Sequence, residues 1–160
     1  MGGLTHIDKK GQVRMVDVSA KPPTERVAKA QAVITMQPET FVLISDQAVS
    51  KGNVLETARI AGVMAAKQTG TLIPMCHPLN LTHAQIDFFP DETHHAIRIE
   101  AITRVTAQTG VEMEALTAAA VAALTIYDMC KAYDRSMVVS DICLLAKSGG
   151  KSGTWQRDEK

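Results

Sequence analysis

The sequence predicts an α+β fold of the ferredoxin-like, split βαβ kind, an antiparallel sheet with its helices packed on one face. Three observations predict it. Apolar and polar residues alternate with a two-residue period in three stretches, the mark of half-buried strands. Helical spacing follows capping signals between them. The resulting order is strand, helices, strand, strand, helix, strand. With 160 residues, a single domain over 1–160 is expected.

Residues 1–25 are mixed and polar, end in Lys21-Pro22-Pro23, and read as an N-terminal arm with a short strand at 15–18. In 27–36, Ala28, Ala30, Ala32, Ile34 and Met36 alternate with Lys29, Gln31 and Thr35, giving a strand that its alanines weaken. Pro38-Glu39 opens a short helix through 41–44. Asn53 and Glu56 have capping-box spacing, Ile60, Val63, Met64 and Lys67 continue the helix, and Gly70 stops it. Stretches 81–89 and 97–105 alternate around a Pro- and His-containing loop and read as a hairpin. Thr109 and Glu112 repeat the capping-box spacing before a long helix to about residue 133. A last strand covers 137–146, and 147–160 is a flexible Gly/Lys-rich tail.

Composition removes several classes of function. Lys plus Arg and Asp plus Glu are 17 each, so the formal charge is zero and the field that draws nucleic acid is missing. One Trp, two Tyr and three Phe are too few for a base-stacking surface, which argues against a single-stranded RNA binder. The first residues carry no signal peptide. The charge-free stretch 115–127 is shorter than the roughly 20 residues a bilayer span needs, so no membrane partner is expected. Three cysteines without C-x-x-C spacing argue against a disulfide framework and a cysteine-based zinc site. A reducing cytoplasm fits. The long helix is apolar on nearly every side over 115–127 and should be buried all round. A two-layer domain this small covers one side only, so self-association is expected to hide the other.

Four groups could carry chemistry. Asp128 and Lys131 stand three apart and share a helix face, as a surface ion pair or as an acid/base couple at the rim of a buried surface. Residues 147–153 resemble a P-loop, but Leu145 stands where the first glycine must be. What remains is an anion-binding nest with Lys147 and Lys151, or a frayed tail. Residues 72–79 are pinned by Pro74 and Pro78 in extended form, as a substrate-lining loop with His77 donating a hydrogen bond or as a structural loop with Cys76 buried. Adjacent residues of an extended chain point to opposite sides, which argues against a Cys76–His77 nucleophile pair. Glu112 and Glu114 open the long helix, where its dipole favours them. Glu114 and Asp128 are 14 residues apart, about 21 Å along a helix, so a small ligand touches both only across two subunits. His94 and His95 sit in the hairpin loop and receive no role.

In order along the chain, 4–8 (LTHID), 15–21 (MVDVSAK), 51–62 (KGNVLETARIAG), 72–79 (LIPMCHPL), 110–117 (GVEMEALT), 127–131 (YDMCK) and 144–153 (LLAKSGGKSG) together resemble the cyclic pyranopterin monophosphate synthase family of molybdenum cofactor biosynthesis. The resemblance implies a lyase that rearranges cyclised dihydro-GTP to cyclic pyranopterin monophosphate and releases pyrophosphate. It implies Asp128 and Lys131 as the catalytic couple, and Met75, Cys76, His77, Met113 and Glu114 as substrate-binding positions. Lys51, Glu112, Lys147, Arg26 and Lys21 join the site on the same ground, and Lys51, Lys147 and Lys151 suit the phosphates. No metal site and no flavin or nicotinamide is implied; Mg²⁺ accompanying the pyrophosphate is left open. It also implies a hexamer built from three dimers with sites between subunits. The alternative is a non-catalytic nucleotide- or pterin-binding oligomer in which Asp128–Lys131 is only an ion pair.

Overall fold

Alternation in the first strand sets the architecture. β1 (Thr24–Thr35) buries Ala28, Ala30, Ala32 and Ile34 and leaves Lys29, Gln31 and Val33 half-buried on the other face. The structure, a computed structural model, describes residues 11–158. After β1 come α1 (Pro38–Ser45), α2 (Val54–Leu72), β2 (His83–Asp91), β3 (Ala96–Ala107), α3 (Glu112–Cys130), β4 (Val138–Ser148) and a two-residue β5 (Trp155–Gln156). The sheet order is β2-β3-β1-β4-β5, antiparallel throughout. Its four long strands follow the predicted split βαβ order, and three helices pack on the five-stranded sheet. The β1–β3 register runs unbroken from Thr24 opposite Ala107 to Thr35 opposite Ala96. The β1–β4 register is shifted twice, between Lys29 and Ala30 and between Gln31 and Val33.

α3 lies across the sheet and beside α2. Its Ala118, Ala119, Ala122, Ala123 and Ile126 pack with Ala32, Ile34, Ile97, Ile99 and Ala101 of the central strands. A smaller cluster of Ala28, Ala30, Val105, Val111 and Ala115 carries the packing to the start of α3. Within the protomer the helix keeps one side uncovered, as expected of a two-layer domain. Leu124 is 56% exposed, and Ile60 and Met64 of α2 are exposed as well. Two layers cover one side of α3 only. By length and composition alone this 19-residue helix is apolar enough to cross a membrane, yet half of it is buried in the domain, which makes it a core helix.

Local signals fared unevenly. Asn53 caps α2 as predicted, its side chain accepting from the Glu56 amide at 3.1 Å. Gly70 does not stop α2, which continues to Leu72. It is a packing glycine: a Cβ there would stand 2.9 Å from the Pro78 Cα. The Thr109–Glu112 box does not form either. Val111 is the N-cap without a side-chain bond, and α3 ends at Cys130. The Glu112 carboxylate pairs with Lys147 instead. Residues 15–18 form no strand; in that stretch of the arm only Val13 makes an isolated bridge. Residues 73–76 turn rather than extend, with the Cys76 amide donating to the Ile73 carbonyl at 3.0 Å. Pro74 sits inside that turn, a position its fixed φ suits. Lys147 and Ser148, placed by the sequence in the tail, close β4, and β5 pairs with Ala146 and Lys147. The 4–8 motif lies outside the described residues.

Gly70→Val should lower stability by about 2 kcal/mol, because the new side chain meets backbone that cannot give, while the helix-propensity gain is only a few tenths. Urea unfolding of the purified variant checks this; an unchanged midpoint would refute the contact.

Candidate active site

The start of α3, the turn after α2 and the arm enclose a cleft of about 300 Å³. Val16, Val18, Met75, Leu79 and Met113 give its lining an apolar part, and Lys21, Cys76, His77, Glu112 and Glu114 a polar one. Cys76, which closes the 73–76 turn, and His77 both line this cleft. Burial, then the nearby Glu114 charge, push the Cys76 thiol above the usual thiol value, which disfavours the thiolate that a nucleophile needs. Glu114 is only 3% exposed. Burial raises its carboxyl above the ordinary range and the Glu112 charge adds to this, against a bond from its own backbone. A buried carboxyl titrating upward in a cleft is a group suited to proton transfer.

Glu112 also faces a small neighbouring groove lined by Arg26, Lys147 and Gly149. The Lys147 Nζ stands 3.1 Å from Glu112 Oε1 and donates to Ser152 Oγ at 2.9 Å. Gly149 and Gly150 both have positive φ (94° and 70°), and a side chain at Gly149 would overlap the Glu25 carbonyl. The glycines are therefore required by the turn. Arg26 braces the fold, its Nε and Nη2 donating to the carbonyls of Ala107 and Gln108 at 3.0 and 3.2 Å and holding the end of β3.

Asp128, Lys131 and Lys51 gather at the other end of α3. Lys131 Nζ lies 2.6 Å from Asp128 Oδ1. Lys51 Nζ lies 3.8 Å from Oδ2 and donates to the Asp128 backbone carbonyl at 2.9 Å, so it also caps the helix. The Lys131 hydrogen bond, then its charge and that of Lys51, hold the Asp128 carboxyl below the usual carboxylate value. The same bond raises Lys131. Two ammonium groups face one carboxylate, a surplus of positive charge that suits a phosphate. The side chains of Asp128 and Lys131 are 62% and 51% exposed, and neither lines the clefts described above.

The predicted residues thus fall into two groups at opposite ends of one helix. Sequence reasoning missed what positions them. Tyr133 donates to Ser50 Oγ at 2.8 Å and accepts from the Ser50 amide at 3.1 Å, fixing the segment that carries Lys51; no spacing relates residues so far apart. Val16 and Val18, also unassigned, lie within the 15–21 motif. Among the described residues, no group of three His, Cys, Asp or Glu side chains could hold a metal ion.

A small α+β domain with a buried carboxyl in a half-apolar cleft, and lysines at both ends of its core helix, has the features of a protein suited to an anionic small molecule. The pattern of the MoaC family matches residues 15–150. The chain is 61% identical over 158 residues to a cyclic pyranopterin monophosphate synthase of Desulforapulum autotrophicum, covering 99% of this chain and 97% of the relative. To the synthase of Desulfatibacillum aliphaticivorans it is 61% identical over 153 residues, covering 96% of each. To that of Chloroflexus aurantiacus it is 58% identical over 154 residues, covering 96% and 94%. The chain belongs to the MoaC family, the cyclic pyranopterin monophosphate synthases, lyases of molybdenum cofactor biosynthesis.

Glu114 gives a pH test. Its folded-state pKa is raised, so the folded chain holds the proton more tightly than the unfolded one. The stability this lends is complete below the unfolded pKa and is lost as pH rises through the folded one. Glu114→Gln should therefore raise the melting temperature more above about pH 7 than below about pH 4. Thermal unfolding at the two pH values decides it, and equal shifts would contradict the burial of the charge.

Proposed function

We propose that the chain converts cyclised dihydro-GTP to cyclic pyranopterin monophosphate with release of pyrophosphate, at a site shared by two protomers, with Asp128 and Lys131 as the acid/base couple. The single observation that carries this is the distribution of charge on α3. Asp128 and Lys131 sit about 21 Å from the cleft that holds Glu114, too far for one small ligand to reach both within a chain. A second copy resolves the distance by setting the α3 end of one protomer against the cleft of its neighbour. The exposed Leu124, Ile60 and Met64 supply apolar surface for such packing, in keeping with the hexamer of three dimers that the family resemblance implies.

The roles follow from the chemistry. The apolar part of the lining, with Met75 and Met113, takes the flat face of the base, and His77 and Glu114 bind its polar edge. Lys51, Lys147 and Lys151 balance the triphosphate and the departing pyrophosphate. Opening the purine-derived ring, closing the pterin ring and forming the cyclic phosphate all move protons, the last through attack of a substrate hydroxyl on the innermost phosphorus as the bond to pyrophosphate breaks. Asp128, a carboxylate in its resting pair, accepts protons; Lys131, an ammonium, donates them. These steps conserve the substrate's oxidation state, so no redox cofactor is needed. Three free cysteines, Cys76, Cys130 and Cys143, suit a reducing cytoplasm.

The purified protein should form the product from cyclised dihydro-GTP without a partner, read as the fluorescent pterin after oxidation. A yield no higher than without enzyme would refute the reading. Asp128→Asn and Lys131→Ala should each cut turnover at least about a hundredfold; wild-type rates in either would return the pair to a surface ion pair. Mixing Asp128→Asn with Glu114→Gln protein after dissociation should restore part of the activity, and none in verified hybrids would count against a shared site.

A further inference from the structure

Beyond Ser148 the chain reverses through a glycine turn, closed by the Gly153 amide donating to the Gly150 carbonyl at 3.2 Å, and returns along β4. Trp155 stands opposite Lys147 and Gln156 opposite Ala146. Two residues of pairing are too short to hold a strand alone. Arg157 does the rest: its amide donates to the Leu145 carbonyl and its Nε to the Leu144 carbonyl, both at 2.8 Å, and its guanidinium lies 5.7 Å over the Trp155 ring. The same hairpin delivers Ser152, whose hydroxyl takes one hydrogen bond from Lys147 while Glu112 takes the other contact.

We propose that Arg157 is a positioning residue: by clamping the C-terminal hairpin to the backbone of β4, it keeps Ser152 on Lys147 and so aims the Lys147 ammonium at the substrate's phosphates. The inference rests on the reading of Lys147 as a phosphate partner. Lys147 has a flexible four-carbon stem, and a cation held by two partners loses less freedom on meeting an anion than one held by Glu112 alone. Arg157 touches neither the cleft around Glu114 nor the Asp128–Lys131 pair, so its loss should weaken binding and leave the proton transfers untouched.

The test is steady-state kinetics on full-length Arg157→Ala, Arg157→Lys, Ser152→Ala and Lys147→Ala proteins, with pyrophosphate as the inhibitory probe. Arg157→Ala should raise KM about fivefold, the worth of roughly one hydrogen bond, with kcat within about twofold of wild type and pyrophosphate inhibition weakened by the same factor as KM. Ser152→Ala should reproduce this shift, and Arg157→Lys, which keeps one donor for β4, should recover part of it. Unchanged KM and inhibition in Arg157→Ala, with both impaired in Lys147→Ala, would overturn the clamp alone. If Lys147→Ala changes neither, the phosphate role of Lys147 fails and the inference falls with it. A fall in kcat at constant KM, or a KM rise without weaker pyrophosphate inhibition, also overturns it.

Discussion

Methyl groups meet methyl groups where α3 crosses the sheet. Ala115, Ala118, Ala119, Ala122 and Ala123 on the helix, and Ala28, Ala30 and Ala32 on β1, are fully or almost fully buried. Side chains this small let a helix approach a sheet closely, and a close-packed interior has little room to yield. The chain has few aromatics, so its core comes from many small contacts rather than a few large ones. The consequence is a stiff helix whose two ends are fixed relative to the sheet. Most groups of functional interest hang on one of those ends or on a loop packed against it, and Arg26 and Lys147 stand on the adjoining strands β1 and β4.

Charge is laid out along α3 accordingly. Glu112 and Glu114 stand in its first turn, where unsatisfied amides favour anions. Asp128 stands in the last turn, where the dipole disfavours a carboxylate, and Lys51 and Lys131 offset it. Glu112 is matched by Lys147. Glu114 differs: it is buried, and none of the ion pairs among the described residues includes it. Such a group lowers stability in the protomer, and sites that bind and react are where such costs are usually found.

Much of this was legible along the chain, for reasons that particular residues show. Split βαβ order follows from periodicity, which is a local property. Asn53 caps α2 through the Glu56 backbone amide, a contact within one turn, while the Glu56 carboxylate pairs with Arg59. Thr109 and Glu112 have the same spacing and made none: α3 starts at Glu112 behind Val111, and the Glu112 carboxylate goes to Lys147, brought in by β4. The α2 stop at Gly70 failed as well: the glycine answers to Pro78, which packs against it. Asp128 and Lys131 could be paired from a helical interval, whereas Lys51 joins them from 77 residues away through a loop held by Tyr133. The tail was the least legible part, since Arg157 folds it onto carbonyls that every sequence possesses.

An exposed ion pair of the Asp128–Lys131 kind does little for stability, since water competes for both partners. Its two groups are also pushed away from neutrality, the carboxyl down and the ammonium up, which is the wrong direction for proton transfer near pH 7. Both features reverse if the pair is pressed against a neighbour's cleft. Desolvation raises a carboxyl and lowers an ammonium, and a phosphate competing for Lys131 loosens the 2.6 Å bond that holds them apart. The same apposition brings ammonium groups towards the buried Glu114 carboxyl, which has no ionic partner among the described residues of its own protomer. Assembly would then cancel an electrostatic cost at one end of α3 while tuning the acid and base at the other, so that a protomer which is poorly arranged by itself becomes consistent when paired.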